Sequence, residues 1–479
     1  MPATPSPAPS WTTSERDAVR RTLAGIFTDD ITTNDTGLVV VGADGSTLFS
    51  RRGRVPVAPA STLKLVVAAT ALDALGPKHR FETRFATSAP PESNGTVHGD
   101  LWLVGGGDPS LTSDDLRRGV GELVRGGVRQ IDGTLQVDDT AFAGPEQNPR
   151  WDPDDLGYDY AAGTSAISLD EDTVEFDVTP DPSGGAARVR VVPDNQSIAF
   201  DGTIASGGYN TYVTIERKPE TTLPSFSSER TQSGVADVPA VQRTEYVVDG
   251  RIAEGGMQTY YKPILGVPGY VGGAVAAMLA SRRVALDGGY RTGPVPLGAF
   301  TLWRHLSAPL GSLVREMLVN SNNHTAETLL RVLGESSGHP GSDASGVAFE
   351  KRELARLDVA HERLQVYDGS GLAPSDRIMP ETLAQLIARV SRGPYGDVFV
   401  RSLPRVGLEG TVRHHELRDA LGRARAKSGH IEDVNGLAGT IVTRHHGRIA
   451  FAFIVNDPRA NADVVYASED RALDALSDF

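Results

Sequence analysis

The segment from Ser61 to Leu75 constrains the fold more than any other part of the sequence, because it is apolar on nearly every side. Its letters, STLKLVVAATALDAL, leave no continuous polar face, and Gly76-Pro77 ends the pattern. A helix that is apolar all round is buried, since a surface helix needs a polar face toward water. The sequence therefore predicts a helix at the centre of a domain.

A lysine lies in the first turn of this helix, although the chain carries most of its positive charge as arginine. Lysine occurs only six times, against 47 lysine and arginine residues together. Lys64 is flanked by Leu63 and Leu65, and burial among apolar side chains lowers the pKa of an ammonium group. Such a lysine can serve as a general base, whereas an arginine stays protonated.

Ser61 lies three residues before Lys64, so the two side chains share one face of the predicted helix. Ser61 is also at the N-terminal end of that helix, where backbone N–H groups favour developing negative charge. The pattern suits a serine nucleophile with a lysine base. Taken alone, Ser-x-x-Lys also fits a serine N-cap followed by a lysine that reaches solvent.

The composition indicates a folded, acidic chain and excludes several functions. The hydrophobic share of 39% and the charged share of 23% are ordinary for a globular protein. The net charge of −14 argues against nucleic acid as a partner, because such binding depends on clustered lysine and arginine. The absence of cysteine excludes thiolate zinc sites, cysteine nucleophiles and disulfides.

The sequence also predicts no transmembrane segment, because no apolar run approaches the roughly 20 residues that span a bilayer. The first letters, MPATPSPAPSW, lack the basic and apolar regions of a signal peptide. We interpret residues 1–10 as a flexible stub, such as remains where a signal or anchor is cut away.

Apolar patterning divides the chain into two ends and a middle. A helix is predicted from Trp11 to Phe27, and a hairpin follows in TGLVVVGADGSTLFSRRG. From about Phe81 to Ala308 the sequence changes to short β-rich runs broken by Gly, Pro, Asp and Asn. Helical periodicity then returns, and two strand-like runs and a helix from Ala462 to Leu476 close the chain. The ends are therefore expected to share one domain, with mostly β material inserted into it.

Two later stretches add candidate catalytic residues. VNSNNHTAE places Ser321 and Asn323 at a break between helices, and RARAKSGH places Lys427 and Ser428 at the end of a predicted strand. Each stretch alone fits a polar turn or the mouth of a hairpin. In this order, Ser-x-x-Lys, Ser-x-Asn and Lys-Ser-Gly resemble the active-site motifs of the penicilloyl-serine transferases.

Within that superfamily the chain resembles the low-molecular-mass class C penicillin-binding proteins, the D-alanyl-D-alanine carboxypeptidase/endopeptidase family. The long insertion after the first motif and the stretches VGGGDPSL, VDDTAF, YDGSGL and LPRVGLEGTV are similar to that family. The resemblance implies a mixed α/β (α+β) fold: a penicillin-binding, serine β-lactamase-like transpeptidase domain with an antiparallel sheet between helices, plus two inserted, mostly β domains. The expected boundaries are 11–82 with 307–479 for the peptidase domain, 83–103 with 171–306 for the first insert, and 104–170 for the second.

The resemblance also implies roles for single residues. Ser61 would be the acylated nucleophile and Lys64 its base, while Ser321 would relay a proton to the leaving group. Asn323 would hydrogen-bond the substrate peptide.

The third motif would bind substrate. Lys427 and Ser428 would hold the terminal carboxylate of D-Ala-D-Ala, with Gly429 beside them. The backbone N–H groups of Ser61 and His430 would form the oxyanion hole.

These roles imply a serine DD-peptidase that acts outside the cytoplasm on peptidoglycan stem peptides and is inhibited covalently by β-lactams, without cofactor or metal. It would remove terminal D-alanine and could also cut cross-links. Two alternatives stay open: an esterase, D-amino-acid amidase or β-lactamase on the same fold, and an envelope scaffold with weak catalysis. A buried Lys64 speaks against the scaffold, because a pure binder has no use for it.

Two positions depart from the family pattern, and other motifs compete with it. His430 stands where Thr or Ser is common, and Pro374 stands where Arg is common, so substrate preference is less predictable than reaction type. GESSG around Ser336 fits Gly-x-Ser-x-Gly, but it follows a helical run where a nucleophile elbow needs a strand. The pairs His414-His415 and His445-His446 lack metal-binding spacing and are interpreted as solvated or strand-end histidines.

Overall fold

The computed structural model describes residues 10–28, 35–193, 195, 197–218, 244–335, 338–457 and 461–479. Most of the stub at 1–10 therefore lies outside the described residues. The helices within these ranges are α1 Thr13–Ile26, α2 Lys64–Leu75, α3 Ser113–Arg125, α4 Val267–Ser281, α5 Leu310–Asn320, α6 Asn323–Gly334, α7 Asp343–Arg356, α8 Pro380–Val390, α9 Gly396–Ser402 and α10 Ala462–Ser477.

The strands of the described ranges form five sheets. In chain order they are β1 Thr36–Val41, β2 Thr47–Arg51, β3 Glu82–Thr87, β4 Thr96–Val97, β5 Leu101–Val104, β6 Gln130–Ile131, β7 Leu135–Asp138, β8 Thr173–Thr179, β9 Arg188–Val192, β10 Ile198–Ser206, β11 Tyr212–Arg217, β12 Thr244–Ile252, β13 Gln258–Pro263, β14 Ala285–Leu286, β15 Tyr290–Thr292, β16 Phe300–Leu306, β17 Ala424–Ile431, β18 Val434–Val442 and β19 Arg448–Asn456.

An antiparallel sheet in the order β17-β18-β19-β1-β2 joins the two ends of the chain. Side chains alternate along β1, so that Leu38 and Val40 pack with α1 and α10. Val39 and Val41 point to the other face and pack with α2 and α8. The predicted antiparallel sheet between helices is confirmed, and strands from both ends of the chain form it.

The apolar helix α2 lies at the centre of the second layer. Every residue from Lys64 to Leu72 is buried, in a cluster shared with α5, α6, α7 and α8. The helix ends at Gly76, whose left-handed φ of 78° suits a residue without Cβ. The prediction of a central buried helix is confirmed.

The middle of the chain contains two helices that the β-rich prediction missed. α3 begins with a capping box between Thr112 and Asp115, a signal that is present in the sequence. α4 is rich in glycine, which disfavours helices. A Cβ at Gly272 would lie 2.7 Å from the Tyr290 ring, and one at Gly273 would lie 2.6 Å from Asn195 Oδ1, so this helix is built for close packing.

The sheets of the insert do not follow the domain boundary that the sequence predicted at residue 104. One sheet has the order β15-β7-β5-β3-β16, and β7 pairs in parallel with β5. All four residues of β7 are buried, and it therefore needs partners on both edges. Segment 104–170 thus shares a sheet with 83–103 and does not form a separate β unit. Strands β8 to β13 form two three-stranded sheets of their own.

Among the described helices, none combines the length and the apolar character needed to cross a membrane.

Candidate active site

Ser61 lies in a 3₁₀ turn that leads into the central helix. The turn covers Ala60–Leu63, and α2 follows from Lys64, whereas the sequence predicted one helix from Ser61. Ala60 has a left-handed backbone with φ 45°, which costs a non-glycine residue roughly 1–3 kcal/mol. The turn holds Ser61 at the N-terminal end of α2, where unpaired N–H groups favour an anion.

Lys64 is fully buried, and its amine contacts three oxygens. Nζ donates to Ser61 Oγ at 2.9 Å, to Asn323 Oδ1 at 2.7 Å and to the Ser370 carbonyl at 2.8 Å. The structure therefore brings together three residues that the sequence singled out, namely Ser61, Lys64 and Asn323.

The surroundings of Lys64 favour its neutral form and orient it. Burial lowers the pKa of Lys64 to about 8, and the charges of Glu327 and Asp368 oppose that effect. In roughly a tenth of the molecules the Lys64 amine is then neutral at pH 7. A neutral amine has two N–H bonds and one lone pair. Because Asn323 Oδ1 and the Ser370 carbonyl can only accept, they take the two N–H bonds and leave the lone pair toward Ser61.

The second motif spans the break between α5 and α6, as predicted. Ser321 ends α5 with a left-handed φ of 61°, and the Asn322 side chain caps α6 by accepting from the Thr325 N–H. The Asn323 amide donates to the Tyr160 carbonyl at 2.8 Å. Within the described residues the Ser321 hydroxyl makes no hydrogen bond, so it is available to a substrate.

The third motif lies on β17, the edge strand of the central sheet. A Cβ at Gly429 would lie 2.8 Å from the Pro59 carbonyl oxygen and 3.1 Å from the Ser61 nitrogen. Glycine therefore lets the strand approach the nucleophile turn. The Ser428 hydroxyl shares a 2.7 Å hydrogen bond with the Thr411 hydroxyl.

Lys427 is a second fully buried lysine. Its Nζ donates to the Ser428 carbonyl at 2.6 Å, and no carboxylate in the described part of the chain pairs with it. Burial, and then the charge of Lys64, hold the pKa of Lys427 well below its usual range. A buried cation without a counter-ion is costly, and a substrate carboxylate would supply the missing charge.

His430 is exposed on β17, opposite Asn435 of β18. Its Nδ1 lies 3.0 Å from Asn435 Oδ1. The oxyanion role rests on the backbone N–H of His430 and stays a prediction.

Sequence reasoning missed the acidic residues and the loop behind Lys64. Ser370 supplies a carbonyl acceptor, and YDGSGL was noted only as a family-like stretch. Glu327 follows Asn323 by four residues on α6 and accepts from two N–H groups of that loop. The i,i+4 spacing between Asn323 and Glu327 was the available signal. The sequence does not show, however, which groups a buried acid binds.

The insert supplies one wall of the site. Besides the Tyr160 carbonyl on Asn323, the Trp151 indole donates to Asp368 Oδ2 at 2.9 Å. Tyr158 and Tyr160 are exposed and stack with ring centroids 5.3 Å apart. Pro374 lies exposed at the end of the neighbouring loop.

The competing motifs lie elsewhere. Gly334 is the last residue of α6, while Ser336 and Ser337 fall outside the described residues. His415 is buried against Asp470, at 2.6 Å, and His446 is buried against Trp11, with ring centroids 3.9 Å apart. These two histidines are buried packing residues, whereas His414 and His445 are exposed, in agreement with the sequence-based interpretation. No cluster of three or more His, Asp or Glu able to hold a metal ion occurs in the described ranges.

The structure brings the three motifs together, and their side chains have the chemistry that acyl transfer requires. A serine hydroxyl lies within hydrogen-bond distance of a buried amine, a second hydroxyl lies at the neighbouring helix break, and a second buried lysine lies on the adjoining strand. This arrangement can activate a serine and anchor a substrate with a terminal carboxylate.

Comparison with known proteins agrees with this chemistry. The family model described as "D-Ala-D-Ala carboxypeptidase 3 (S13) family" matches residues 19–476. The D-alanyl-D-alanine carboxypeptidase of Actinomadura sp. (strain R39) is 31% identical over 451 residues, which cover 88% of this chain and 77% of that protein. The D-alanyl-D-alanine carboxypeptidase DacB of Haemophilus influenzae is 24% identical, with 83% of this chain and 80% of that protein covered.

The fold is also similar to a solved structure. Penicillin binding protein 4 (dacB) from Haemophilus influenzae superposes with a TM-score of 0.77 at 20% identity, over 95% of this chain and 99% of that one. A second structure of that protein, complexed with a β-lactam, superposes with a TM-score of 0.73 over the same shares of the two chains.

Proposed function

The chain belongs to the D-Ala-D-Ala carboxypeptidase 3 (S13) family, and on that premise we propose which of its residues carry out the reaction. The chain is a serine D-Ala-D-Ala carboxypeptidase, a hydrolase that cleaves the bond between two D-alanines. We assign Ser61 as the nucleophile. The observation that carries this assignment is the 2.9 Å hydrogen bond between buried Lys64 and Ser61 Oγ.

Acylation begins with proton transfer from Ser61 Oγ to the lone pair of neutral Lys64. The oxygen attacks the carbonyl of the penultimate D-alanine, and the negative charge that develops is held by the N–H groups of Ser61 and His430. The tetrahedral intermediate then expels the terminal D-alanine as its amine. Ser321 gives its hydroxyl proton to the departing nitrogen and regains one from the Lys64 ammonium, which restores the neutral amine; water later hydrolyses the Ser61 ester. The same chemistry would cut a D-alanyl cross-link.

The free carboxylate of the terminal D-alanine binds near Lys427. Its charge offsets the buried ammonium group, and the Ser428 and Thr411 hydroxyls offer further donors. Asn323 orients the peptide with its side-chain amide, which Tyr160 and Lys64 hold from two sides.

β-Lactams are proposed inhibitors, because they present a strained amide and a carboxylate to the same groups. The similar Haemophilus influenzae protein complexed with a β-lactam supports this expectation. We infer that the chain acts outside the cytoplasm, where peptidoglycan stem peptides are assembled.

The test is release of D-alanine from a diacyl-D-Ala-D-Ala peptide by the protein and by Ser61→Ala. We expect release by the wild type and none above background by the variant, with equal thermal midpoints. The related peptide ending in D-Ala-Gly-amide is the control, since it lacks the carboxylate that Lys427 holds. Ester hydrolysis without peptide hydrolysis would instead favour an esterase on the same fold.

A further inference from the structure

We name residues 368–373 the carbonyl loop. This loop supplies one of the two oxygens that can only accept a hydrogen bond from the Lys64 amine. The Ser370 carbonyl lies 2.8 Å from Lys64 Nζ. Gly371 has a left-handed φ of 78°, and a Cβ there would collide with the Ala60 carbonyl. The loop therefore packs directly against the nucleophile turn, and its position decides where this acceptor points.

Two buried carboxylates fix the backbone of the carbonyl loop. Glu327 accepts from the Gly369 N–H at 3.0 Å and from the Ser370 N–H at 2.8 Å, one on each carboxylate oxygen. Asp368 accepts from the Gly371 N–H at 2.7 Å. The peptide units on both sides of Ser370 are thus held by charge-assisted hydrogen bonds, which are stronger than neutral ones.

Glu327 also lies on the helix that supplies the other acceptor. Asn323 and Glu327 are four residues apart on α6, on one face of that helix. One face of α6 therefore positions both oxygens that accept hydrogen bonds from Lys64. It carries Asn323 Oδ1 directly, and it positions the Ser370 carbonyl through the carbonyl loop.

We propose that Glu327 is a positioning residue for Lys64, which holds the Ser370 carbonyl against the amine so that the lone pair faces Ser61. The proposal rests on the function of Lys64 as the base. The hydrogen bonds of Glu327 go to the carbonyl loop rather than to Ser61, so it acts through that loop and through its charge.

Besides positioning the loop, the charge of Glu327 affects the pKa of Lys64. Burial, together with the charges of Asp368 and Asp343, raises the pKa of Glu327 to about 8, while the hydrogen bonds from Ser370 and Gly369 act to lower it. A negative Glu327 stabilises the ammonium form of Lys64 and so raises the pKa of Lys64. Removing that charge must therefore lower the pKa of Lys64.

Other charged groups also surround Glu327 and Lys64. Glu350 on α7 and Asp376 beyond the loop face Glu327, and Lys427 on β17 faces Lys64. Glu350 is fully buried like Glu327, but neither of its oxygens has a hydrogen-bond partner among the described residues. Burial raises the pKa of Glu350 well above its usual range. It is therefore a matched control, a buried acid on the next helix without a hydrogen bond to the loop.

The experiment compares acylation by benzylpenicillin between pH 5 and 10 for the wild type, Glu327→Gln and Glu350→Gln. A glutamine offers one acceptor oxygen where two N–H groups need one each, so we expect the plateau rate of Glu327→Gln to fall about 10-fold or more. The acidic limb of the profile should move to lower pH, because Lys64 loses whatever part of the Glu327 charge is present at these pH values. Glu350→Gln should keep both the wild-type plateau and the wild-type limb.

An unchanged profile for Glu327→Gln, or the same change in Glu350→Gln, would overturn the proposal. Should Glu327→Gln fail to fold, Glu327→Asp takes its place. Its shorter carboxylate keeps the charge but reaches only one N–H group, so the plateau should fall while the limb stays at the wild-type pH. A wild-type plateau for that variant also contradicts the proposal. Failure of the proposed function is distinct, because the wild type itself would then not be acylated on Ser61.

Discussion

Lys64 can take the proton of Ser61 only while its amine is neutral, and the surrounding residues determine the neutral fraction. Burial lowers the pKa of Lys64 to about 8, while Glu327 and Asp368 keep it from falling further. The rate of acylation should therefore rise with pH through this range, because the neutral amine is the active form. The scarcity of lysine in this chain agrees with a position where arginine cannot work.

Lys64→Arg tests that residue directly. Arginine keeps the charge and most of the length but cannot be deprotonated in a protein, so we expect acylation by benzylpenicillin to fall about 100-fold or more. Stopped-flow or quench measurements give the rate, and the thermal midpoint reports folding. Lys351→Arg, on α7 and away from the site, is the control and should acylate at the wild-type rate. Near wild-type acylation by Lys64→Arg would make Lys64 a structural residue.

At the scale of elements, β17 and the nucleophile turn meet so closely that only glycine fits at position 429. We predict that Gly429→Ala lowers the acylation rate about 10-fold or more, because the new Cβ would lie 2.8 Å from the Pro59 carbonyl oxygen and must push the strand away. Gly25→Ala on α1, where a Cβ meets nothing within 4 Å, is the matched control. A wild-type rate for Gly429→Ala would show that the contact between strand and turn is not needed for acylation.

Elements with strong periodicity could be predicted from the sequence, and contacts between distant segments could not. α2, the break at Ser321 and the closing strands follow from apolar patterning, turn residues and caps. The 3₁₀ start at Ala60 was missed, because its left-handed backbone is imposed by packing against Gly371 rather than by local sequence. Helix α4 was missed because its glycines serve tertiary packing and weaken the local signal. The same reason hid Glu327, whose partners lie on a loop about 40 residues later.

At the scale of the whole molecule, the insert is anchored to the peptidase part beside the active site. Arg331 of α6 is buried and donates to the carbonyls of Pro145 and Thr164 in the insert, and it pairs with Asp343 at 2.7 Å. His324 on the same helix contacts Ser168 at 2.8 Å. Helix α6 therefore carries Asn323, which contacts Lys64, and also the contacts that hold the insert wall, which supplies the Tyr160 carbonyl.

Arg331→Met should loosen this junction. Because Asp343 then loses its buried partner and two carbonyls lose their donor, we expect the free energy of unfolding to fall by about 3–5 kcal/mol. Denaturant unfolding measures this loss, and limited proteolysis should cut the insert faster than in the wild type. Arg389→Met on α8, whose ion pair with Asp358 is exposed on both sides, is the control and should change stability by less than about 1 kcal/mol. Equal losses in the two variants would contradict an anchoring role.

The central claim is that this molecule forms a covalent acyl-enzyme on one serine, and mass spectrometry after incubation with benzylpenicillin tests it most directly. We predict that intact mass increases by one drug molecule, and that peptide mapping assigns the addition to the fragment containing PASTLK, with no addition in Ser61→Ala. An adduct on another serine such as Ser336, or none at about millimolar drug, would contradict the account. Rapid drug turnover without an accumulating adduct would contradict it as well and identify a β-lactamase instead.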